Sequence, residues 1–241
     1  MPPKTKKSPL PLRGKLSSRG KGAVKRAPVV HEEVYARLRR AIIDGQLEPG
    51  RALSVRSLAA QFSVSAMPAR EAIRRLVALG ALEMTATRRI MISRMTPEKV
   101  DELTEARTLL EPRLAARAFL KTEGRARARK ALISRMTAID KRLDHAIAAG
   151  DVGSYSKLNS EFHFTLYEAA KAPILLSAVE SLWLQTGPFM RIVISKLGMP
   201  NFVDMHKEAI DALKNNDAAE FENAIRLDII EGMQRIGNAV E

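Results

Sequence analysis

Arginines at three places in the N-terminal part of the chain have the type and spacing to grip or read DNA. Arg70, Arg74 and Arg75 lie on a segment over 66–79 whose Ile73, Leu76 and Val77 recur at helical spacing. Those apolar residues face inward, which leaves the three arginines to face outward. Met67, Pro68 and Arg70 fall near the N-terminal end of this helix, the end that reaches base edges in the major groove. A guanidinium there suits a bidentate contact to guanine or a clamp on phosphate. Arg56 sits near the start of a preceding helix over 55–62, placed for the DNA backbone or a base, and Arg88 and Arg89 sit at a hairpin tip suited to the minor groove or phosphates. On one helix alone such arginines are more often a solvated face. The order turn, helix, turn, helix, hairpin reverses that preference.

The elements that must position these side chains are legible around them. From Glu32 onward Val34, Leu38, Ala41 and Ile42 share one helical face, and Asp44-Gly45 ends that helix. Pro49-Gly50 makes a turn, 52–53 reads as a short strand, and Ser54 is placed to cap the next helix. Residues 63–65 turn into the arginine-bearing helix, Gly80 closes it, and strands over 81–84 and 90–93 flank the tip. This is a winged helix-turn-helix over 31–94. After a short connector, Thr96-Pro97 opens a wholly helical half over 95–241, with spans at 96–121, 124–149, 151–171, 173–197, 202–215 and 217–238. Thr186-Gly187-Pro188 should break or kink its helix. The expected fold is mainly α, the winged module followed by an all-α antiparallel helical bundle with a core pocket.

Charge divides the chain the same way. Of the net +13, residues 1–30 hold nine bases and no acid, residues 31–94 eleven bases against six acids, and residues 95–241 twenty bases against twenty-one acids. Positive charge therefore concentrates where phosphates would use it. Residues 1–30 mix Pro, Gly, Ser and bases without periodicity and are expected to form a disordered basic tail, either a solubilising leader or a non-specific phosphate-binding arm. No apolar run approaches 18 residues, so no membrane span is expected, and the basic start lacks the apolar stretch of a secretory signal. Cytoplasm is the expected location. The absence of cysteine excludes disulfides, thiolate metal ligands and a cysteine nucleophile.

The block LRRAIIDGQLEPG followed by LSVRSLAAQFSVSAMPAREAIRRLVALGALE closely resembles the DNA-binding domain of GntR-family transcriptional regulators. The resemblance implies DNA contacts at Arg56, Ser65, Ala66, Met67, Pro68 and Arg70 and at the hairpin tip, Arg88 and Arg89. Two positions depart from the family: Ala66 stands where arginine is usual, and Arg89 where the wing tip usually has glycine. The helical half is similar to the FCD-like ligand-binding domain of the FadR-type branch, through EARTLLEPRLAARAF, LNSEFHFTLYEAA and DMHKEAIDALKNNDAAEFENAIRLDI. Many members of that branch hold a divalent metal (Zn, Ni or Mn) with an Asp and three His. The matching positions here are Asn159, His163, His206 and Asp228, with Asn159 and His163 one turn apart on a helix. Asn offers a neutral oxygen where a carboxylate is usual, and Asp228 restores the charge, leaving a two-His, one-carboxylate set. The alternative is two histidines hydrogen-bonded inside an effector pocket. The resemblance also implies a pocket-facing cation at Arg107, able to pair with a carboxylate effector unless Glu111, one turn later, takes it.

Together these readings imply a homodimeric, sequence-specific regulator on a double-stranded operator, a repressor in the family's commoner mode, responsive to a small metabolite such as an organic acid. A metal-dependent hydrolase is the rival class, but it lacks an identifiable water-activating carboxylate and leaves the DNA module unexplained, so no enzyme is expected. A non-specific architectural protein driven by the tail is the third.

Overall fold

Helix α1 (Ala27–Ile43) buries Val34, Leu38, Ala41 and Ile42, the apolar stripe that dictates its orientation. The computed structural model to which it belongs describes residues 27–50, 52, 54–86, 89–197 and 205–240. The helix begins at Ala27, inside the segment expected to be a tail. Pro28 accounts for the early start, because its fixed φ suits a first turn and its missing N–H is one that a first turn leaves unsatisfied. The remainder of the expected tail, 1–26, lies outside the described residues.

Gly45, at φ +68°, ends α1 in the left-handed region that glycine adopts freely. Helix α2 (Val55–Gln61) is capped by Ser54, whose hydroxyl accepts from the Ser57 N–H while the Ser57 hydroxyl accepts from the Ser54 N–H. Ser63, at φ 54°, turns the chain into α3 (Ala66–Ala78). The wing is β1 (Leu82–Met84) paired antiparallel with β2 (Ile90–Ile92) in the register Leu82↔Ile92. The strand expected at 52–53 is not there at Ala52, which is irregular, and Leu53 lies outside the described residues.

The helical half comprises α4 (Pro97–Thr122), α5 (Ala126–Ala148), α6 (Val152–Ala169), α7 (Pro173–Leu197), α8 (His206–Lys214) and α9 (Ala218–Val240). Helix α4 lies along α9, α5 along α6, and α8 along α9. Thr96 and Asp151 cap α4 and α6, and α6 is buried along most of its length at the centre of the bundle. The architecture is thus mainly α, with a small two-stranded wing.

The break expected at Thr186-Gly187-Pro188 does not occur, and helix α7 runs through all three residues. A proline costs a helix interior roughly 3 kcal/mol, but Trp183, Leu184, Phe189 and Val193 are all buried around it, and their burial outweighs that cost. Pro112 is similarly tolerated inside α4. A proline cannot bond the carbonyl four residues back, and the Thr108 carbonyl so released accepts from Arg226 Nη1 at 3.3 Å.

The winged unit sits on α6 and α7. Gly187 lies so close to α1 that a Cβ there would be 2.4 Å from the Ile43 carbonyl oxygen. Ser160 Oγ on α6 donates to Asp44 Oδ1 at 2.7 Å, Arg191 Nη1 on α7 donates to the Gly45 carbonyl at 3.2 Å, and Arg39 pairs with Glu180.

Candidate DNA-binding face and ligand pocket

At the start of α3, Ser65, Ala66, Met67 and Arg70 are exposed, as is Arg56 on α2. Met67 is 69% exposed, so a large apolar side chain projects from the helix end that a major groove would receive. Such a group can meet a thymine methyl. Among the described residues no acid pairs with Arg56 or Arg70. Pro68 differs: it is buried and packs under the first turn of α3. Arg75 also departs from the outward face expected of it. Its guanidinium lies 3.7 Å over the Tyr35 ring and bonds both carboxylate oxygens of Glu32, at 2.8 and 3.2 Å, so it fastens α3 to α1. Arg74 stays exposed beside Glu71. On the wing, Arg89 is exposed and its N–H donates to Thr85 Oγ1, while Arg88 lies outside the described residues.

In the bundle, α4, α6, α7 and α9 enclose a cavity lined by Arg107, Asn159, His163 and Asp228, with Tyr155, Trp183, Thr186, Gly187, Met190 and Arg235 among the other residues of its wall. His206, at the start of α8, reaches the same cluster from behind and stacks on Phe162 at 3.8 Å. Five positions scattered over four helices are thereby brought together. The cavity measures about 20 Å³. That is room for one water or ion, whereas pockets for metabolites usually run to roughly 300 Å³ or more.

Arg107 is not a free cation in this pocket. Its Nε and Nη2 donate to Glu111 at 2.6 and 3.4 Å, and its Nη1 faces the Met233 sulfur at 3.4 Å. Glu111, fully buried, also accepts from Trp183 Nε1 at 3.0 Å and from the Tyr167 hydroxyl. Burial, with the Glu111 charge beside it, holds the Tyr167 phenol well above its ordinary pKa, so it remains a donor. Since the hydroxyl hydrogen goes to Glu111, the oxygen must accept from His163 Nδ1, 3.0 Å away. This puts a proton on His163 Nδ1 and turns Nε2 inward.

The Nε2 of His163 then faces Asp228 Oδ2 at 3.0 Å and His206 Nε2 at 3.4 Å, with His206 Nε2 at 3.8 Å from Asp228 Oδ1. Burial works against ionising Asp228, but His206, His163 and the Met205 N–H together hold its carboxyl well below the usual carboxylate range. A ring nitrogen and a carboxylate oxygen at 3.0 Å call for a proton or a metal cation between them. Donor atoms sharing one ion through bonds of about 2.0–2.2 Å lie roughly 3 Å apart, and these three residues offer theirs within 4.8 Å of one another. The residues therefore fit a small divalent ion. Sequence reasoning missed the role of Tyr167, although its spacing of one helical turn from His163 was visible; Arg235 as pocket wall carried no local signal.

Comparison with known proteins identifies both halves of the chain. Residues 30–92 match the model of bacterial regulatory proteins of the gntR family, and residues 102–230 match the FCD domain. The chain is 26% identical over 183 residues to the HTH-type transcriptional regulator McbR of Escherichia coli K12, covering 75% of this chain and 80% of that one. It is 27% identical over 192 residues to the gluconate operon transcriptional repressor of Bacillus subtilis 168, covering 76% and 74% respectively. Its fold is similar to that of E. coli McbR/YncC, with a TM-score of 0.77 at 22% identity over 87% of this chain and 97% of that one. Among the described residues no helix is long and apolar enough to cross a membrane. The chain belongs to the gntR family of bacterial regulatory proteins, carries an FCD domain, and is a transcriptional regulator.

Proposed function

We propose that the protein is a ligand-responsive repressor, homodimeric on a two-part operator, whose grip on DNA changes when a small organic acid enters the helical half. Residues 31–94 act as the DNA module and 95–241 as the effector and pairing module. Arg70, Met67, Ser65 and Ala66 at the start of α3, with Arg56, meet the major groove. Arg88 and Arg89 on the wing meet the minor groove or the backbone. Pro68, buried, shapes the first turn of α3.

The observation that carries the proposal is that the walls of the cavity are also the seat of the DNA module. Gly187 lines the cavity and presses on the Ile43 carbonyl; Asn159 lines it while its neighbour Ser160 holds Asp44. A cavity of about 20 Å³ cannot admit a metabolite without moving a wall. Movement of α6 or α7 moves the support of α1, and close-packed contacts pass such shifts on as discrete rearrangements. A ligand that fits only the opened arrangement thus shifts the population between two DNA affinities.

His163, His206 and Asp228 would hold a divalent metal, with Asn159 beside them. Such an ion would supply a positive centre for an anionic ligand, a role that Arg107, paired with Glu111, does not fill. The experiment is selection of bound sequences from random DNA, followed by a thermal-shift screen of organic acids and operator titration with each hit. Elemental analysis of purified protein reads the metal separately. Failure to enrich any sequence, or enrichment unaffected by every stabilising acid, would remove the reading.

A further inference from the structure

Helix α4 carries an outward row that no ion pair among the described residues explains. Asp101, Glu105, Leu109, Arg113 and Arg117 follow one another at four-residue spacing, and all five are exposed. Leu109, at the middle of the helix, is 61% exposed. Among the described residues none of the four charged groups has an ion-pair partner. The order is also unfavourable for an isolated solvated helix. Asp101 and Glu105 set like charges one turn apart, and so do Arg113 and Arg117, where neighbours at this spacing normally stabilise a helix by opposing each other. The helix dipole explains acids in the first turn and bases in the last, but Glu105 and Arg113 lie well inside both ends.

We infer that this row is the surface on which two copies of the chain pair, antiparallel about a two-fold axis at Leu109. The inference rests on the homodimer proposed above and gives it a surface. A two-fold at Leu109 sets the residue four before it level with the residue four after it on the second copy. Glu105 then meets Arg113 of the second copy, Asp101 meets Arg117, and the two Leu109 side chains cover each other. A parallel arrangement would set like charges together, so the row also selects orientation. The surface is isologous, as a closed dimer requires. A single row buries less than the roughly 800 Å² per partner of a standard interface, so pairing is salt-sensitive and is reinforced when both DNA modules engage one operator.

The test is sedimentation of the full chain with charge reversals on this row. Glu105→Arg alone and Arg113→Glu alone each weaken dimerisation on the order of tenfold, with unchanged circular dichroism because both positions are exposed. An equimolar mixture of the two variants restores a dimer, now a heterodimer, and the double variant restores the homodimer. Single reversals without effect on a dimeric protein, or a mixture that fails to pair, overturn the assignment of α4 while leaving the homodimer on another surface. A wild-type chain monomeric at all concentrations overturns the pairing altogether, and operator titration of that monomer then reads DNA recognition independently.

Discussion

Replacing Gly187 by alanine adds one methyl group at the point where α7 meets α1. The new Cβ would lie 2.4 Å from the Ile43 carbonyl oxygen and 3.0 Å from the Ile43 carbonyl carbon and Cα. Contacts under 3.0 Å are essentially never seen for real Cβ atoms, so α1 must retreat from α7 by at least about 0.6 Å. Both surfaces are helix backbone, which cannot swing aside as a side chain would. The clash therefore belongs at the upper end of overpacking costs, about 3 kcal/mol. Alanine returns about 1 kcal/mol because it is the better helix former. The net loss is about 2 kcal/mol, which in a chain of this size lowers a single thermal transition by about 4–8 °C. Gly237→Ala is the control, since the same gain in helix propensity there meets only an ordinary 3.6 Å contact with Val100. Melting curves of the two variants, with operator titrations in the presence and absence of ligand, give the comparison. Gly237→Ala should melt at or slightly above the wild type. Gly187→Ala should melt below it, bind operator with altered affinity, and lose its response to ligand. A Gly187→Ala protein that melts like the control and responds like the wild type would refute the reasoning.

Further outcomes follow from the same geometry. Arg70→Ala should weaken specific operator binding by roughly 1–3 kcal/mol if its guanidinium reads a base; an unchanged titration curve removes it from the contact set. Tyr167→Phe keeps the ring but deletes the hydroxyl that links Glu111 to His163. Metal affinity measured by competition with a chelator should fall about 10–100-fold, and equal affinity would mean the tautomer is set elsewhere. Glu111→Ala leaves Arg107, 6% exposed, as a buried unpaired cation. The expected loss is about 3–5 kcal/mol, read by chemical denaturation, and a loss below 1 kcal/mol would mean that water or another acid reaches Arg107.

Much of this architecture was legible in local pattern. The α1 stripe, the Ser54 cap, the paired wing strands and the helical half each follow from spacings within a few residues, and Asn159 and His163 advertise a shared helix face. What local pattern misses lies in packing between distant elements. Arg75 reads as outward on its own helix, yet Tyr35 and Glu32 from α1 claim it. Thr186-Gly187-Pro188 reads as a helix breaker, yet with the flanking residues buried α7 continues through it. Arg107 and Glu111 stand one turn apart, but only the arrival of Tyr167 and Trp183 from other helices makes Glu111 a saturated buried acceptor. The approach of Gly187 to Ile43, the contact joining pocket to DNA module, has no sequence signature beyond the glycine itself.

The most direct test of ligand control is operator affinity measured on one preparation, first without ligand and then with each organic acid that raises its melting temperature. Coupling between an effector site and a DNA site is typically worth 1–3 kcal/mol, so at least one such acid should change the affinity by about 5–150-fold, and Gly187→Ala should abolish that change. Acids that bind in the pocket and stabilise the protein while leaving operator affinity untouched would contradict it.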